Sequence, residues 1–254
     1  MPYEDLSLNV KKRMIKSLDG SDFHQEFHAE VNVNPETLEC DPEYYAAGVK
    51  LVKREITTEQ AKKYAAHSLI AKDLKYLIKM MKYASSIALE GNPDEESTSV
   101  FVRNEIDYKS DILKAIYISS VVTYGKCFAQ AHGRKVKLDR EAIFKDASKI
   151  VKDAHDDLMA QRNDYVAHGG NTKYESAKTF LLLHPSIEEK LPPVITTSAM
   201  HVYGFSKSEY SRFLDLFEYV QEKHRITIKK LDSALQKREV EGKPLSEFYE
   251  STKP

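Results

Sequence analysis

TTEQAKKYAAHSLIAKDLKYLIKMMKYASSIALEGNP, residues 57–93, decides the fold class. Thr57 or Thr58 is placed to cap a helix, with Glu59 and Gln60 in the first turn to meet its free amides and positive dipole end. Ile70, Leu74, Leu77, Met81, Ala84 and Ala88 then recur every three or four residues, which puts them on one stripe. Gly91-Asn92-Pro93 closes the segment, because glycine suits the C-terminal cap and proline cannot continue a helix. The spacing predicts one long helix from Thr57 to about Glu90. Lys72, Lys75, Lys79 and Lys82 form a basic ridge beside the stripe. Such a ridge is ordinarily a solvated face, and its other reading is contact with an RNA backbone.

Outward from this helix the pattern repeats. Asp107 to about Ala131 reads as a second helix whose middle, Ile112 to Phe128, is apolar nearly all round. That predicts a central position with partners on several sides. Its small residues Ala115, Ser119, Ser120 and Gly125 allow close approach. A third helical stretch starts near Asp139 and runs to about Ala167, with a break near Ser148, and Gly169-Gly170 ends it. Residues 177–183 and 194–203 are rich in β-formers, predicting two short strands and suggesting a hairpin. A final helix spans about Ser206 to Arg238.

The expected fold is therefore mainly α, an antiparallel four-helix bundle with a small β insertion at about 177–204 before the last helix. The bundle occupies residues 56–240, followed by a tail at 241–254. Residues 1–55 form an N-terminal extension expected to be partly helical, with Val10 to Leu18 as a short helix and turns at Asn34-Pro35 and Asp41-Pro42.

Composition narrows the function classes. The 254 residues include 38 Lys and Arg against 39 Asp and Glu, a net charge of −1, so a bulk-basic nucleic-acid binder is excluded and any RNA contact is local. Two cysteines, Cys40 and Cys127, make neither a disulfide framework nor a Cys-rich zinc site and fit a reducing compartment. No stretch approaches a membrane span and the start is unlike a signal peptide, so the expectation is a cytoplasmic protein without membrane contact. Nine histidines show no metal-ligand spacing, and Walker A, GxGxxG and GxSxG patterns are absent. Neither metal nor cofactor is expected.

The segment HDDLMAQRNDYVAHGG, residues 155–170, carries the chemistry. It sets Arg162, Asn163 and His168 at the end of a bundle helix. His155 lies two turns before Arg162 and shares its face. On a straight helix His168 would sit about 120° round from Arg162 and roughly 9 Å along the axis, too splayed to hold one phosphate. Either the helix unwinds at the glycines or a second copy completes the site. Taken singly, each residue has a structural reading: Arg162 as a dipole partner or ion pair with Asp157 or Asp164, and His168 as a carbonyl cap. Their joint spacing favours a site. Arg134, Lys135, Lys137 and Arg140 form a basic cluster in the preceding connection, placed to touch an RNA backbone.

Arg162-Asn163-x4-His168 resembles the R-[N/D/H]-x-H motif, with its variable spacer, of the HEPN superfamily (higher eukaryotes and prokaryotes nucleotide-binding). The preceding helix, with Tyr124-Gly125-Lys126-Cys127-Phe128, is similar to that of abortive-infection-type members. The resemblance covers residues 57–240 in architecture and is sharp in these two stretches. It implies a four-helix bundle that dimerises so that two motifs face each other. It also implies a metal-independent endoribonuclease of a toxin or antiviral system, with RNA as substrate and an antitoxin or defence protein as partner. The rival reading is a non-catalytic RNA- or nucleotide-binding or interaction module.

The residue types suit RNA cleavage. RNA supplies its own nucleophile in the 2′-hydroxyl. A histidine near neutral pKa can move a proton off that hydroxyl or onto the leaving 5′-oxygen. A guanidinium can hold the phosphate and stabilise its transition-state charge, and Asn163 can orient the phosphate or the imidazole. The expected products are 2′,3′-cyclic phosphate and 5′-hydroxyl ends.

Overall fold

The apolar stripe of the first long helix becomes its buried side. In α1 (Glu59–Leu89), Ile70, Leu74, Leu77 and Met81 are fully buried and Ala84 nearly so, whereas Ala88 is exposed. The computed structural model describes residues 11–16, 22–34, 36–37, 40–89, 108–130, 133–166, 175–183, 185, 192–201 and 204–250. The chain divides into two compact units, Met1–Thr57 together with Pro244–Pro254, and Thr58–Lys243.

In the larger unit α1 packs against α5 (Lys207–Glu239) and α2 (Tyr108–Phe128), and α4 (Lys149–Gln161) packs against both α5 and α2. Phe213, Leu216, Phe217 and Val220 of α5 complete the core, while Ile228, Leu231 and Leu235 further along it are half-buried. The α5 start is set by a reciprocal cap: the Ser206 amide donates to Glu209 Oε2 at 2.7 Å. Between α1 and α5 the rings of His67 and His224 meet, Nδ1 to Nε2 at 3.1 Å, one donating and one accepting. Burial pushes both pKa values down, that of His224 to about 4, so the pair is neutral around pH 7.

The expected break near Ser148 is present. Asp139 caps the short α3 (Arg140–Phe144), its Oδ1 accepting from the Ala142 amide at 3.0 Å, and Ser148 caps α4, its Oγ accepting from the Val151 amide at 3.4 Å. Between α4 and α5 two strands, β5 (Glu175–Leu182) and β6 (Val194–His201), pair antiparallel with Leu182 opposite Val194 and Glu175 opposite His201. Phe180, Leu181, Leu182, Val194 and Ile195 of this ribbon are all exposed.

The helix count and the surroundings of α2 differ from what the sequence suggests. The described residues hold six α-helices and a π turn (Arg162–Val166), more than four: caps at Asp139 and Ser148 divide the third stretch, and a short helix, α6 (Leu245–Glu250), lies in the smaller unit. The protein is mainly helical, with small antiparallel sheets. Nor is α2 surrounded: Ile112 and Val122 are exposed, as is Ala115 between them. These three share one side of the helix, on which Ser119 meets Tyr76 of α1.

In the smaller unit the short helix expected at Val10 to Leu18 is corrected. The unit contains a four-stranded antiparallel sheet in the order β1 (Lys11–Lys16), β2 (Asp22–Val33), β3 (Cys40–Ala46), β4 (Val49–Lys50). The segment proposed as a short helix, Val10 to Leu18, contributes β1, which pairs along Asp22–Phe27 of β2. The overlooked signal is the alternation in DFHQEFHAEVNV, where Phe23, Phe27, Ala29, Val31 and Val33 fall on alternate residues. Asn34 does make a turn, its Oδ1 accepting from the amides of Glu36 and Thr37. Asp41-Pro42 does not: both lie in β3, opposite Asn32 and Val31. Strand β4 pairs only with Tyr45 and Ala46, so β3 is locally an edge at Pro42 and loses no bond to the missing N–H. Ala47 and Gly48, both at positive φ, make the tight turn between β3 and β4.

Among the described residues no helix is long and apolar enough to cross a membrane. Two leucines of α1 calibrate the core: Leu74 is fully buried and Leu69 is 51% exposed. Leu74→Ala is expected to lower the unfolding free energy by about 2–5 kcal/mol. Leu69→Ala should cost less than about 0.5 kcal/mol, with urea titration as the measurement.

Candidate functional site

Helix α4 does not end in a simple α-helical cap. The Arg162 amide bonds to both Leu158 O and Met159 O, and Arg162–Val166 then close as a π turn. A π turn shifts the phase of every residue after it, so faces counted at 100° per residue do not carry past Arg162. Such turns recur at functional sites.

The Arg162 side chain lies across α2 at Gly125. A Cβ at position 125 would overlap Arg162 Cδ and come within 2.7 Å of Nε. Glycine inside a helix costs about 0.5–1 kcal/mol relative to alanine, and here its missing side chain is the space the guanidinium stem occupies. Arg162 is half-buried, and its Nη1 donates to Asn163 Oδ1 at 2.8 Å. Among the described residues it makes no ion pair, while the nearby Asp157 pairs with Arg212 at 3.1 Å. Asn163 and Asp164 are exposed. The guanidinium is thus packed along its stem and oriented at its tip. His168, the third member of the motif, lies outside the described residues, as do Gly169 and Gly170.

Two hydrogen bonds tie α2 to α4 near this point. Tyr117 donates its hydroxyl to Gln161 Oε1 at 3.0 Å, and Tyr124 Oη lies 2.7 Å from His155 Nδ1. All four side chains are buried. His155 is 3% exposed, with its ring against Phe128 at 4.7 Å and Phe144 at 4.5 Å. The expectation that His155 touches RNA is therefore corrected: its ring has no solvent face to offer. Burial lowers its pKa to about 4, and burial likewise raises that of Tyr124, so the bond joins two neutral groups at pH 7. Histidine shares a face with Arg162 in the sequence pattern, but its aromatic neighbours come from α2 and α3 and are not visible from α4 alone.

The basic cluster is dispersed. Arg134 turns inward, with 9% of its side chain exposed, and pairs with Asp73 of α1. Arg140 holds Asp156 with Nη2 at 2.8 and 2.9 Å and Glu141 with Nη1 at 3.0 Å. Lys135 and Lys137 are exposed, and Lys135 acts electrostatically on Glu59 at the start of α1. None of these four has a described contact with Arg162. Arg140 instead lines an open cleft of about 520 Å³ with Glu141, Ala142, Phe144, Lys145 and Lys152, the two lysines being residues that sequence reasoning did not select. Among the described residues no group of three His, Cys, Asp or Glu is placed to hold a metal ion.

No protein-family model, curated protein or solved structure matches the chain.

The Gly125–Arg162 contact makes a sign prediction. Gly→Ala in a helix interior ordinarily stabilises by about 0.5–1 kcal/mol, but Gly125→Ala is expected to destabilise because the guanidinium stem must leave. In an Arg162→Ala background the same change should stabilise, and a double-mutant cycle by urea unfolding reads the reversal. His155 gives a second prediction. Its folded pKa lies below the unfolded value, so its contribution is full above about pH 6.5 and is lost as pH falls toward 4. The slope is at most about 1.4 kcal/mol per pH unit. The stability gap between wild type and His155→Phe should accordingly narrow between pH 7 and pH 4.

Proposed function

We propose that this chain is an HEPN-type, metal-independent endoribonuclease of a bacterial defence or toxin–antitoxin system, acting in the cytoplasm as a homodimer. The observation that carries the reading is the state of Arg162. Its stem is seated in the Gly125 gap, its tip is held by Asn163, and it has no carboxylate partner among the described residues. A guanidinium fixed but not neutralised is what an anionic ligand requires. A purely structural arginine at a helix end would be expected to settle on the acids of its own turn, and Asp157 is engaged elsewhere.

In this reading α1, α2, α4 with its π turn, and α5 are the four helices of the bundle. The exposed Ile112, Ala115 and Val122 of α2 mark where the second copy docks. In this reading the two-fold axis is the one that brings two Arg162 side chains toward each other. The 2′-oxygen then forms its bond to phosphorus as the P–O5′ bond breaks. His168 of one copy accepts the 2′-proton, and His168 of the other donates a proton to the departing 5′-oxygen. Arg162 meets the charge that builds on the non-bridging oxygens, and Asn163 keeps the guanidinium aimed.

The test is incubation with total RNA in EDTA, followed by chemical analysis of the new ends. Wild type should give 2′,3′-cyclic phosphate and 5′-hydroxyl termini. Arg162→Ala and His168→Ala should each lower the rate at least a hundredfold with an unchanged fold by circular dichroism. Val122→Arg should give a monomer by sedimentation and lose cleavage with it. Folded wild-type protein that binds RNA without cutting any of it would support the non-catalytic module instead.

A further inference from the structure

The ridge of α1 that the core does not use has its own order. Leu69, Lys72, Tyr76, Lys79 and Tyr83 follow one another at alternating steps of three and four residues, and all five are exposed. They therefore form one line on the outer side of the helix, opposite Ile70, Leu74, Leu77 and Met81. Along it an apolar or aromatic group alternates with a lysine, and the two tyrosines are about 10 Å apart along the axis. Lys75 flanks the line. Lys72, Lys75 and Lys79 make no ion pair among the described residues, while Lys82 is paired with Glu218 at 2.9 Å. The Tyr76 hydroxyl meets Ser119 Oγ of α2 at 3.1 Å, which tethers that side chain at its tip while leaving it 40% exposed. Tyr83 is 53% exposed.

We propose that this stripe is a binding track for single-stranded nucleic acid, with Tyr76 and Tyr83 stacking on unpaired bases and Lys72, Lys75 and Lys79 meeting the phosphates between them. Charge complementarity selects this occupant. Helix α1 carries six lysines against Glu59 and Asp73, and Asp73 is taken by Lys126 and Arg134. A second copy of the chain would set lysines against lysines along the same seam, which disfavours self-association there. A duplex hides its base faces and could use only the cations. Aromatic groups interleaved with cations are the arrangement that binds single strands with tolerance for sequence.

The inference extends the nuclease reading, since it assigns the substrate as unpaired RNA, and it is tested separately from that reading. The probe is a fluorescein-labelled, 2′-O-methylated 12-nucleotide oligouridylate, which lacks the reacting hydroxyl, with a 12-base-pair RNA duplex as comparison. Binding to the full chain is followed by anisotropy at several salt concentrations. Tyr83→Ala should weaken single-strand binding about tenfold and leave duplex binding unchanged. The double variant Lys72→Gln/Lys79→Gln should weaken binding and reduce the salt slope by about 1.4. Both sites are exposed, and thermal melts check that the fold is intact.

Variants that bind like wild type overturn the track. So does a loss that is equal for single strand and duplex with no effect of Tyr83→Ala, which would mark a general polyanion surface. A change of oligomeric state by Tyr83→Ala without a change in oligonucleotide affinity also overturns it, in favour of a protein interface. If the stripe binds as described but unmodified RNA is never cut, only the nuclease reading falls. If cutting depends on Arg162 while the stripe variants bind normally, only the track falls.

Discussion

Burial of one stripe of α1 is the constraint on which the helical unit depends. Ile70, Leu74, Leu77 and Met81 are removed from solvent entirely, and α2 and α5 are the elements that cover them. Each such side chain contributes about 1.5–3 kcal/mol when fully buried, which no cap or surface ion pair in the unit matches. Helix α4 contacts α2 and α5, so the position of the arginine at its end depends on those partners. Core packing and candidate chemistry are connected by that route.

The connection becomes specific where α2 meets α4. Tyr117 with Gln161 and Tyr124 with His155 are buried polar pairs, and each satisfies a group that would be costly to bury alone. Directional bonds of this kind fix where two helices stand along each other in a way that apolar contacts do not. Gly125 adds a steric condition, since only the absence of a side chain allows the guanidinium stem to lie where it does. The neutral state of His155 belongs to the same design: a charged imidazole among Phe128, Phe144 and Tyr124 would have no counter-ion inside the cage.

Local signals explain what was legible in the sequence. Caps at Asp139, Ser148 and Ser206 and the apolar spacing of α1 and α5 are written within a few residues of where they act, so helix limits followed closely. Long-range decisions were not legible. Whether Arg140 offers its charge to a ligand depends on Asp156, sixteen residues away, and whether His155 faces water depends on α2 and α3. The apolar run of α2 suggested encirclement, yet nothing in a single chain obliges every apolar side to be covered. In the N-terminal unit β1 is defined by its pairing along Asp22–Phe27 of β2, a partnership that residues 10–18 do not reveal by themselves. Gly125 was recognised as small, but its partner could not be named. The π turn left no trace in the letters, because it is a backbone choice made at the end of α4.

The concentration of lysines on α1 has a consequence at distances beyond contact. The chain as a whole is nearly neutral, so the surplus of positive charge on this helix is offset by acids elsewhere on the molecule. A surplus of one sign on a single helix acts on a charged partner before any side chain is touched. At physiological ionic strength this pull fades over about 8 Å. Any steering by this helix is therefore confined to the last moments of an encounter.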